Sequence, residues 1–387
     1  MSLKSESPVA GAAGPEAAPG GAAGKTTPGG AGWRSAPDPV RVLRACGWLA
    51  AGQRPLAVSA ARSSHDLHRV RRADGACAVV KRVPEHAARA GRSLARELFV
   101  HRLASWLPGV ARAVPRALHL DEARQVLATE SLSQADDWPA PHERGELDDP
   151  RFAASLARVL AGMHRATRGL PMPPTPAVGV LGLPKSLDEA TANRPLATQL
   201  LMHRIAASPP LAAVLNEGAS RYSLRCVVHG DLKTENWLRR ARGRACIFDW
   251  ELAGQGDPAW DLGCLVAEAG VLRLRRAWRD APGSARPWQP AVFALSGAEP
   301  ALAAVWRAYV AAAGSGARCV LDLTAPAELD RVALYSLARM LHMACEWADH
   351  EQPDDDPKRA SECMFALASA LTAQRSTLVA LMVRGWA

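Results

Sequence analysis

Three polar side chains in one stretch of the chain have the types and spacing that phosphoryl transfer requires. Asp231 lies in the polar segment HGDLKTEN, which follows the apolar run 226–228, and Asn236 comes five residues after Asp231. A second apolar run, 245–248, leads directly to Asp249. If the two runs pair as a hairpin, both carboxylates lie at the same end of it. One carboxylate can then accept the proton of an attacking hydroxyl, while the amide oxygen and the second carboxylate bind Mg²⁺ on the phosphates of ATP.

The same stretch resembles the aminoglycoside phosphotransferase and choline kinase family, and HGDLKTEN (residues 229–236, hereafter the catalytic loop) resembles the catalytic loop of protein kinases. That family has His-Gly-Asp, an Asn five residues on, an Asp before Trp and a Gly-Asp-Pro-x-x-Asp run, an order present here through DWE and GDPAWDLG. The alternative is an ordinary β-hairpin with exposed polar loops. The resemblance implies that His229 braces the loop and that Asp261 binds its amides. Asp257 is expected to begin the following helix.

The resemblance also implies a chemical role for each polar group of the loop. Asp231 is expected to be the catalytic base, or to orient the acceptor hydroxyl, and Asn236 and Asp249 are expected to bind Mg²⁺. Lys233 resembles the lysine that touches the transferred phosphate in serine/threonine protein kinases, and a solvated surface lysine is the alternative. Many small-molecule members of the family carry another residue there, so Lys233 favours a peptide or an unusual acceptor.

The residues before this region predict a small antiparallel sheet that carries a lysine. Residues 55–83 are typical of strands, and an Asp-Gly pair between HRVRR and ACAVVKRV is a hairpin signal. Lys81 ends an Ala-Val-Val-Lys run that resembles the Val-Ala-x-Lys strand of kinases, where the lysine reaches the α- and β-phosphates. Glu97, on a helix predicted over 88–107, is its expected partner. The alternative for Lys81 is a solvated surface residue. The alternative for Glu97 is a surface pair with a residue four positions away on its own helix.

Two further nucleotide contacts are expected from position alone. No Gly-x-Gly-x-x-Gly precedes the lysine, and Ser63 and Ser64 occupy the equivalent loop, where they either donate to phosphate oxygens or form a plain turn. The strand predicted within 123–133 is followed by an extended connector. By resemblance, the backbone of Glu130 to Leu132 in this connector is expected to bind adenine.

The order of elements predicts an α+β fold, and the resemblance implies a bilobal protein-kinase-like arrangement with a small antiparallel-sheet N-lobe and a mostly helical C-lobe. Residues 1–36 are mostly Gly, Ala, Pro and Ser, and we expect a disordered low-complexity tail there. We expect the nucleotide-binding N-lobe over 37–133 and the C-lobe, with the catalytic loop and the acceptor site, over 134–387. Further helices are predicted over residues 40–50, 148–167, 188–207, 210–219, 261–278, 299–313, 327–350 and 357–382.

The composition of the chain indicates in which compartment the protein is located and which classes of partner it binds. The net charge of +9 comes from 47 basic and 38 acidic residues, but no basic motif is interleaved with aromatics, which favours a solvated surface over RNA or DNA binding. Eight cysteines without CxxC spacing indicate free thiols in a reducing compartment. The sequence has neither a secretory signal nor an uninterrupted apolar run of about 20 residues. We therefore expect a cytoplasmic protein with no nucleic-acid partner and no membrane association.

The expected activity is transfer of the γ-phosphate of ATP, with Mg²⁺, to a hydroxyl of a small molecule such as an antibiotic or a metabolite. The acidic stretch 346–356 would attract a cationic aminoglycoside, or it is a solvated loop between helices. A second hypothesis is phosphorylation of Ser or Thr in a peptide, as in lanthipeptide-type biosynthesis; Lys233 and the basic stretch 62–124 favour it. A third hypothesis is a pseudokinase that only binds nucleotide or a partner, and the missing glycine-rich loop is its support. It predicts the loss of one of the residues Lys81, Asp231, Asn236 and Asp249, and all four are present.

Overall fold

The computed structural model describes most of the chain. The described residues are 38–62, 65–83, 88–131, 147–240, 243–280, 299–314, 319–350 and 360–384. Three residues of the predicted nucleotide contacts, Ser63, Ser64 and Leu132, lie outside them, as does the predicted tail over 1–36. The predictions for these residues therefore stay predictions.

The N-terminal part of the described chain is a five-stranded antiparallel sheet in the order β1-β2-β3-β5-β4. Its strands are β1 Ala57–Arg62, β2 Asp66–Arg71, β3 Cys77–Arg82, β4 Ala117–Asp121 and β5 Val126–Glu130. The Asp-Gly turn joins β2 to β3, and Gly75 there has φ +83°, a conformation that glycine adopts without strain. The antiparallel sheet predicted from the sequence is confirmed.

Side-chain alternation along β3 decides which face of the sheet carries Lys81. Val80 packs in one cluster with residues of helix α1 (Pro39–Ala45). Lys81, the next residue of the strand, therefore points to the opposite face. Helix α2 (Ala88–Ala104) covers that face with its buried leucines. Glu97 of α2 is only 5% exposed, so lysine and glutamate meet in the space between sheet and helix.

The rest of the described chain is mostly helical, as predicted. Its helices are α3 Pro108–Ala111, α4 Pro150–Ala166, α5 Leu187–Thr191, α6 Leu196–Ala207, α7 Pro209–Arg221, α8 Pro258–Asp280, α9 Glu299–Ala313, α10 Pro326–Ala348, α11 Ala360–Ala373 and α12 Arg375–Val383. Among these helices, none is long and apolar enough to cross a membrane by itself. Only α11 and α12 taken together meet that length and composition, with a 92° bend between them.

Two predicted helices are each interrupted, and the local sequence explains one of the breaks. The helix predicted over 188–207 is divided because Asn193 has φ +62° and Pro195 disfavours helical backbone in the residue before it. The helix predicted over 357–382 breaks at Gln374, which caps α12 with non-helical backbone angles.

Two predicted helix starts are present. Asp149 caps α4 by accepting a hydrogen bond from the N–H of Arg151 at 2.9 Å, with proline in the first turn. Asp257 accepts from the N–H of Ala259 at 3.0 Å, so α8 begins directly after it. These caps agree with the sequence-based boundaries.

The predicted hairpin between the apolar runs 226–228 and 245–248 is wrong. The short strands are β6 Cys226–Val228, β7 Trp237–Arg239, β8 Ala245–Ile247 and β9 Gly254–Gly256. Strand β6 pairs with β9, and β7 pairs with β8. The apolar residues Trp237 and Leu238 directly follow the catalytic loop and form part of β7. Because β7 is closer to β8 in sequence than β6 is, β8 pairs with β7. Asp231 and Asp249 therefore follow strands of two different small sheets.

Helices α8 and α10 pack closely beside the catalytic loop. A Cβ at Gly263 would lie 2.9 Å from backbone atoms of Tyr335 and Ser336, so glycine is required at this crossing. Around it lies the main core, in which the largest fully buried aromatic side chains are Phe152, Trp237, Trp250, Trp260, Trp306, Tyr309 and Tyr335. Because of this close approach, side chains of α10 can reach the loop.

Candidate active site

A buried carboxylate at the start of α8 fixes the backbone of the catalytic loop. Asp261, fully buried, accepts hydrogen bonds from the N–H groups of His229 at 2.8 Å and Gly230 at 2.9 Å. Nε2 of the buried His164 lies 3.1 Å from the same carboxylate. The indole N–H of Trp260 donates to the carbonyl of Gly230 at 2.8 Å. The loop-binding aspartate expected from the resemblance is thus present in the geometry.

His229 joins the catalytic loop to the segment before Asp249. Its Nε2 donates to the carbonyl oxygen of Phe248 at 3.0 Å, and its Nδ1 accepts from the N–H of Asp231 at 3.2 Å. The N–H of Phe248 in turn donates to the carbonyl of Asn236 at 3.0 Å. Both ring nitrogens of His229 are therefore used inside the protein, which fits a bracing role and leaves no nitrogen for proton transfer to a substrate.

The carboxylate of Asp231 is held between two cations. Nη2 of Arg339 lies 2.6 Å from Oδ1, and Nζ of Lys233 lies 2.7 Å from Oδ2. Asp231 is 8% exposed, and burial alone would raise the pKa of its carboxyl group. Arg339 and Lys233 outweigh burial and hold this pKa well below its usual range. The group is therefore ionised and oriented by hydrogen bonds.

Arg339 was not found by sequence reasoning. It lies on α10, 108 residues after Asp231, in a helix that matched no family pattern. Its Nη1 lies 3.1 Å from Glu346 Oε2 and 2.9 Å from His342 Nδ1. The spacing of 339, 342 and 346 puts all three side chains on one helix face, and that is the sequence signal that was available. Glu346, expected in an acidic stretch facing a substrate or solvent, instead pairs with this arginine.

The predicted pair of Lys81 and Glu97 is formed, and Asp249 joins it. Nζ of Lys81 lies 2.7 Å from Glu97 Oε2 and 2.5 Å from Asp249 Oδ1. Burial alone would lower the pKa of Lys81, but Glu97, Asp249 and Glu251 raise it overall. The lysine is therefore charged although it is only 6% exposed. This contact connects the sheet to the helical part of the chain.

Asp249 occupies a special backbone position. Its φ of 63° and ψ of 55° lie in the left-handed region, which Asp tolerates better than most residues. The turn that results directs the carboxylate towards Lys81 and leaves it 37% exposed. Burial raises the pKa of Asp249, but Lys81 lowers it overall, so this group is an anion as well.

Asn236 and Asp249 have the atoms that a hard cation needs. The Asn236 side chain donates from Nδ2 to the carbonyl of Asp231 at 2.8 Å and more weakly to Asp231 Oδ2 at 3.4 Å, so Oδ1 of Asn236 is the atom that a cation would use. Asp249 uses Oδ1 on Lys81 and retains Oδ2. Among the described residues, no group of three or more His, Cys, Asp or Glu side chains could hold a metal ion. Mg²⁺ in proteins is commonly bound by one or two protein oxygens together with phosphate oxygens of the substrate, and these two side chains fit that coordination.

Glu251 of the DWE sequence is a further residue that the prediction missed. Its Oε2 lies 3.9 Å from Nζ of Lys81 and 3.3 Å from Nδ1 of His65. His65 also lies 2.9 Å from the hydroxyl of Ser93 on α2. His65 directly follows the predicted phosphate loop, so Glu251 connects that region of the sheet to the Asp249 segment.

Glu268 of α8 holds the turn that carries Asn236. Its Oε2 accepts from the N–H of Thr234 at 3.1 Å and from the Thr234 hydroxyl at 2.8 Å. Burial and the neighbouring Glu235 raise the pKa of Glu268 to about 7. This buried residue carries no motif, and sequence reasoning did not identify it. It positions the short 3-10 helix Thr234–Asn236.

The connector after β5 starts inside the sheet. The N–H of Glu130 donates to the carbonyl of Arg116 at 3.0 Å, and its side chain forms an ion pair with the same arginine. The N–H of Ser131 donates to Cys77 at 2.9 Å. The prediction that Glu130 to Leu132 bind adenine therefore depends on atoms other than these two N–H groups.

Comparison with known proteins identifies a matching family and proteins of similar fold. A model described as "Phosphotransferase enzyme family" matches residues 57–295, more than half of the chain. The structure is similar to amicoumacin kinase hAmiN, solved in complex with AMP-PNP, Ca²⁺ and Ami, with a TM-score of 0.51, 13% identity, and coverage of 89% of this chain and 94% of that chain. This similarity confirms the predicted kinase-like α+β fold.

Two other solved structures are similar at lower scores. A choline/ethanolamine kinase family protein from Mesorhizobium loti has a TM-score of 0.49 and 19% identity, over 85% of this chain and 93% of that chain. The choline kinase LicA from Streptococcus pneumoniae has a TM-score of 0.46 and 14% identity, over 83% and 94%. No curated protein matches the sequence.

Proposed function

The chain belongs to the phosphotransferase enzyme family, and we propose that it transfers the γ-phosphate of ATP to a hydroxyl group of a small molecule. The acceptor is an antibiotic or a metabolite, and Mg²⁺ is the metal cofactor. The observation that carries this proposal is a network of contacts: Lys81 pairs with Asp249, and His229 connects Phe248, the residue before Asp249, to Asp231. This network supports a phosphate donor site at Lys81 beside an acceptor site at Asp231.

The donor side of the proposal depends on Lys81. Its ammonium would contact the α- and β-phosphates of ATP, and Glu97 keeps it aligned from α2. Asn236 and Asp249 would hold Mg²⁺. When bound, Mg²⁺ neutralises charge on the β- and γ-phosphates during transfer. Supporting this assignment, Asn236 and Asp249 lie on two segments that His229 and Phe248 join by hydrogen bonds.

The acceptor side depends on Asp231 and Lys233. Asp231 would orient the acceptor hydroxyl for attack on the γ-phosphorus and accept its proton as the new O–P bond forms and the bond to the β-phosphate oxygen breaks. Lys233 would neutralise the charge that develops on the transferred group. The ionised state of Asp231 and the 2.7 Å contact of Lys233 with it support both roles.

The burial of Asp231 favours a small acceptor. The Asp231 side chain is 11% exposed and contacts both Lys233 and Arg339 of α10, so little of its surface is open to a large acceptor. A peptide with a flexible Ser or Thr is the second candidate, because the lysine two residues after the base is in contact with it. The pseudokinase hypothesis is disfavoured, since it predicts that at least one of the chemical residues is lost and all of them are present.

A cytoplasmic location is part of the proposal. All eight cysteines lie among the described residues as free thiols, and most of them are buried. Buried free thiols are typical of a reducing compartment.

The test is phosphate transfer from γ-labelled ATP with Mg²⁺. Aminoglycosides, simple amino alcohols and Ser-containing peptides are the acceptors, and hydrolysis to inorganic phosphate reports water as acceptor. We expect label in one acceptor class, a loss of roughly 100-fold or more in Asp231→Ala, and no loss in Asp188→Ala, which alters an exposed aspartate. No transfer to any acceptor or to water, despite ATP binding, would contradict the proposal. Label in peptides alone would select the second candidate.

A further inference from the structure

Helix α10 supplies a buried arginine to the carboxylate that faces the acceptor. Arg339 is 1% exposed, and its guanidinium contacts three groups at once. Nη2 lies 2.6 Å from Asp231 Oδ1, while Nη1 lies 3.1 Å from Glu346 Oε2 and 2.9 Å from His342 Nδ1. The planar fork of an arginine can serve several acceptors in fixed directions, whereas a lysine presents a single point charge.

We propose that Arg339 is a positioning residue for phosphoryl transfer: it fixes Oδ1 of Asp231 so that Oδ2 is the oxygen offered to the acceptor hydroxyl. Lys233 is the partner that gives up its place on Oδ2 when the acceptor enters. This inference rests on the proposed function, because it assigns the roles of the two cations around the same Asp231.

The two cations differ in how firmly they are held. The Arg339 side chain is 2% exposed and has Glu346 and His342 as further partners, so its guanidinium cannot move without breaking several contacts. The Lys233 side chain is 33% exposed and its ammonium is on a flexible stem. An acceptor hydroxyl can therefore displace Lys233 from Asp231 more easily than it can displace Arg339.

The same helix provides a matched control in Arg331. This arginine is also buried, at 7% exposure, and lies beside two carboxylates, with Nε 3.3 Å from Asp257 Oδ2 and Nη2 paired with Glu328. Its pairs resemble those of Arg339, but its partners do not include Asp231. If α10 needs a buried arginine only for its structure, substitutions at Arg331 and Arg339 should reduce kcat equally. If Arg339 positions Asp231, only substitutions at Arg339 should reduce kcat.

The kinetic test compares Arg339→Met, Arg339→Lys and Arg331→Lys in the full chain. The readouts are kcat, KM for ATP and the rate of ATP hydrolysis by water. We expect kcat to fall roughly 10- to 100-fold in Arg339→Met, with KM for ATP changed by less than about 3-fold, because the loss is one of orientation. Arg339→Lys should regain part of the rate, and Arg331→Lys should keep the wild-type kcat. Equal losses at both positions, or an unchanged kcat in Arg339→Met, would overturn the proposal.

A structural readout keeps the test independent of turnover. Crystal structures of wild type, Arg339→Met and Arg331→Lys should show the Asp231 carboxylate rotated away from its wild-type orientation in Arg339→Met alone. An Asp231 carboxylate in the wild-type orientation in Arg339→Met would overturn the proposal. Absence of any phosphate transfer by the wild-type protein would instead count against the proposed function, so the two failures are distinguishable.

Discussion

Nζ of Lys81 lies 2.5 Å from Oδ1 of Asp249, although 168 residues separate them in the chain. The lysine comes from the third strand of the sheet and the aspartate from the turn after β8, so this contact joins two regions with separate cores. Glu97 completes the arrangement from α2 at 2.7 Å. A single ammonium thus aligns a strand, a helix and the predicted metal-binding turn.

Glu97→Gln should weaken this alignment while keeping the size of the side chain. A neutral amide still accepts a hydrogen bond but no longer balances the buried charge of Lys81, so the ammonium is drawn further towards Asp249. We expect kcat/KM for ATP to fall roughly 10-fold or more in steady-state assays. Glu122→Gln is the control, since Glu122 pairs with Arg102 of the same helix at a half-exposed site. Equal kinetics in the two variants would refute an aligning role for Glu97.

Asp261→Asn should loosen the catalytic loop. One of the two loop N–H groups would face an amide NH₂ in place of an oxygen, and leaving a buried donor unpaired costs on the order of 1–3 kcal/mol. Urea denaturation should show that reduction in the free energy of unfolding, together with a fall in kcat. Asp330→Asn is the control: it alters a 30% exposed carboxylate paired with Arg221 and Arg375 and should cost less than Asp261→Asn, because solvent screens these pairs. A similar small cost in Asp261→Asn would contradict the bracing role.

The parts of the site that were predictable depend on local sequence patterns. The Asp-Gly turn and the helix that begins after Asp149 each follow from neighbouring residues. The contact of Asp261 with the loop was expected because the resemblance to the family implies it. In these places, local preference and tertiary structure agree.

The parts that sequence reasoning missed depend on contacts between distant segments. Strand β6 was paired with the wrong partner because β7 is nearer to β8 in sequence, and nothing local identifies the Gly-x-Gly of β9 as a strand. Arg339 reaches Asp231 across 108 residues, and Glu268 reaches Thr234 across 34. Neither belongs to a motif, so only the packing of α8 and α10 around the loop identifies them.

The stability of the protein should depend on pH through Glu268. Its pKa is raised to about 7 in the folded protein from an ordinary 4.5, by burial and by Glu235, with Arg339 and Thr234 acting in the opposite direction. A raised folded pKa means that its contribution to stability is complete below pH 4.5 and is lost as pH rises through 7. The free energy of unfolding should therefore fall over that range by up to roughly 3 kcal/mol relative to Glu268→Gln.

Urea denaturation of wild type and Glu268→Gln near the two ends of that pH range measures this difference. Other titrating groups are common to both proteins and cancel in the comparison. Glutamine can still accept from Thr234, so the variant keeps the hydrogen bonds of the loop. Curves that stay parallel across the range would show that Glu268 does not titrate there.

Asp249→Asn should raise the Mg²⁺ requirement of the enzyme. Asn tolerates the left-handed backbone at this position, where φ is 63°, so the turn is kept while the anionic ligand is lost. The Mg²⁺ concentration for half-maximal transfer should rise roughly 10-fold or more, since hard cations depend on ligand charge. Glu251→Gln is the matched control, because Glu251 also neighbours Lys81, at 3.9 Å, but is not a predicted metal ligand. A Mg²⁺ requirement raised equally in both variants would mean that the effect arises from Lys81, and that Asp249 does not bind the metal.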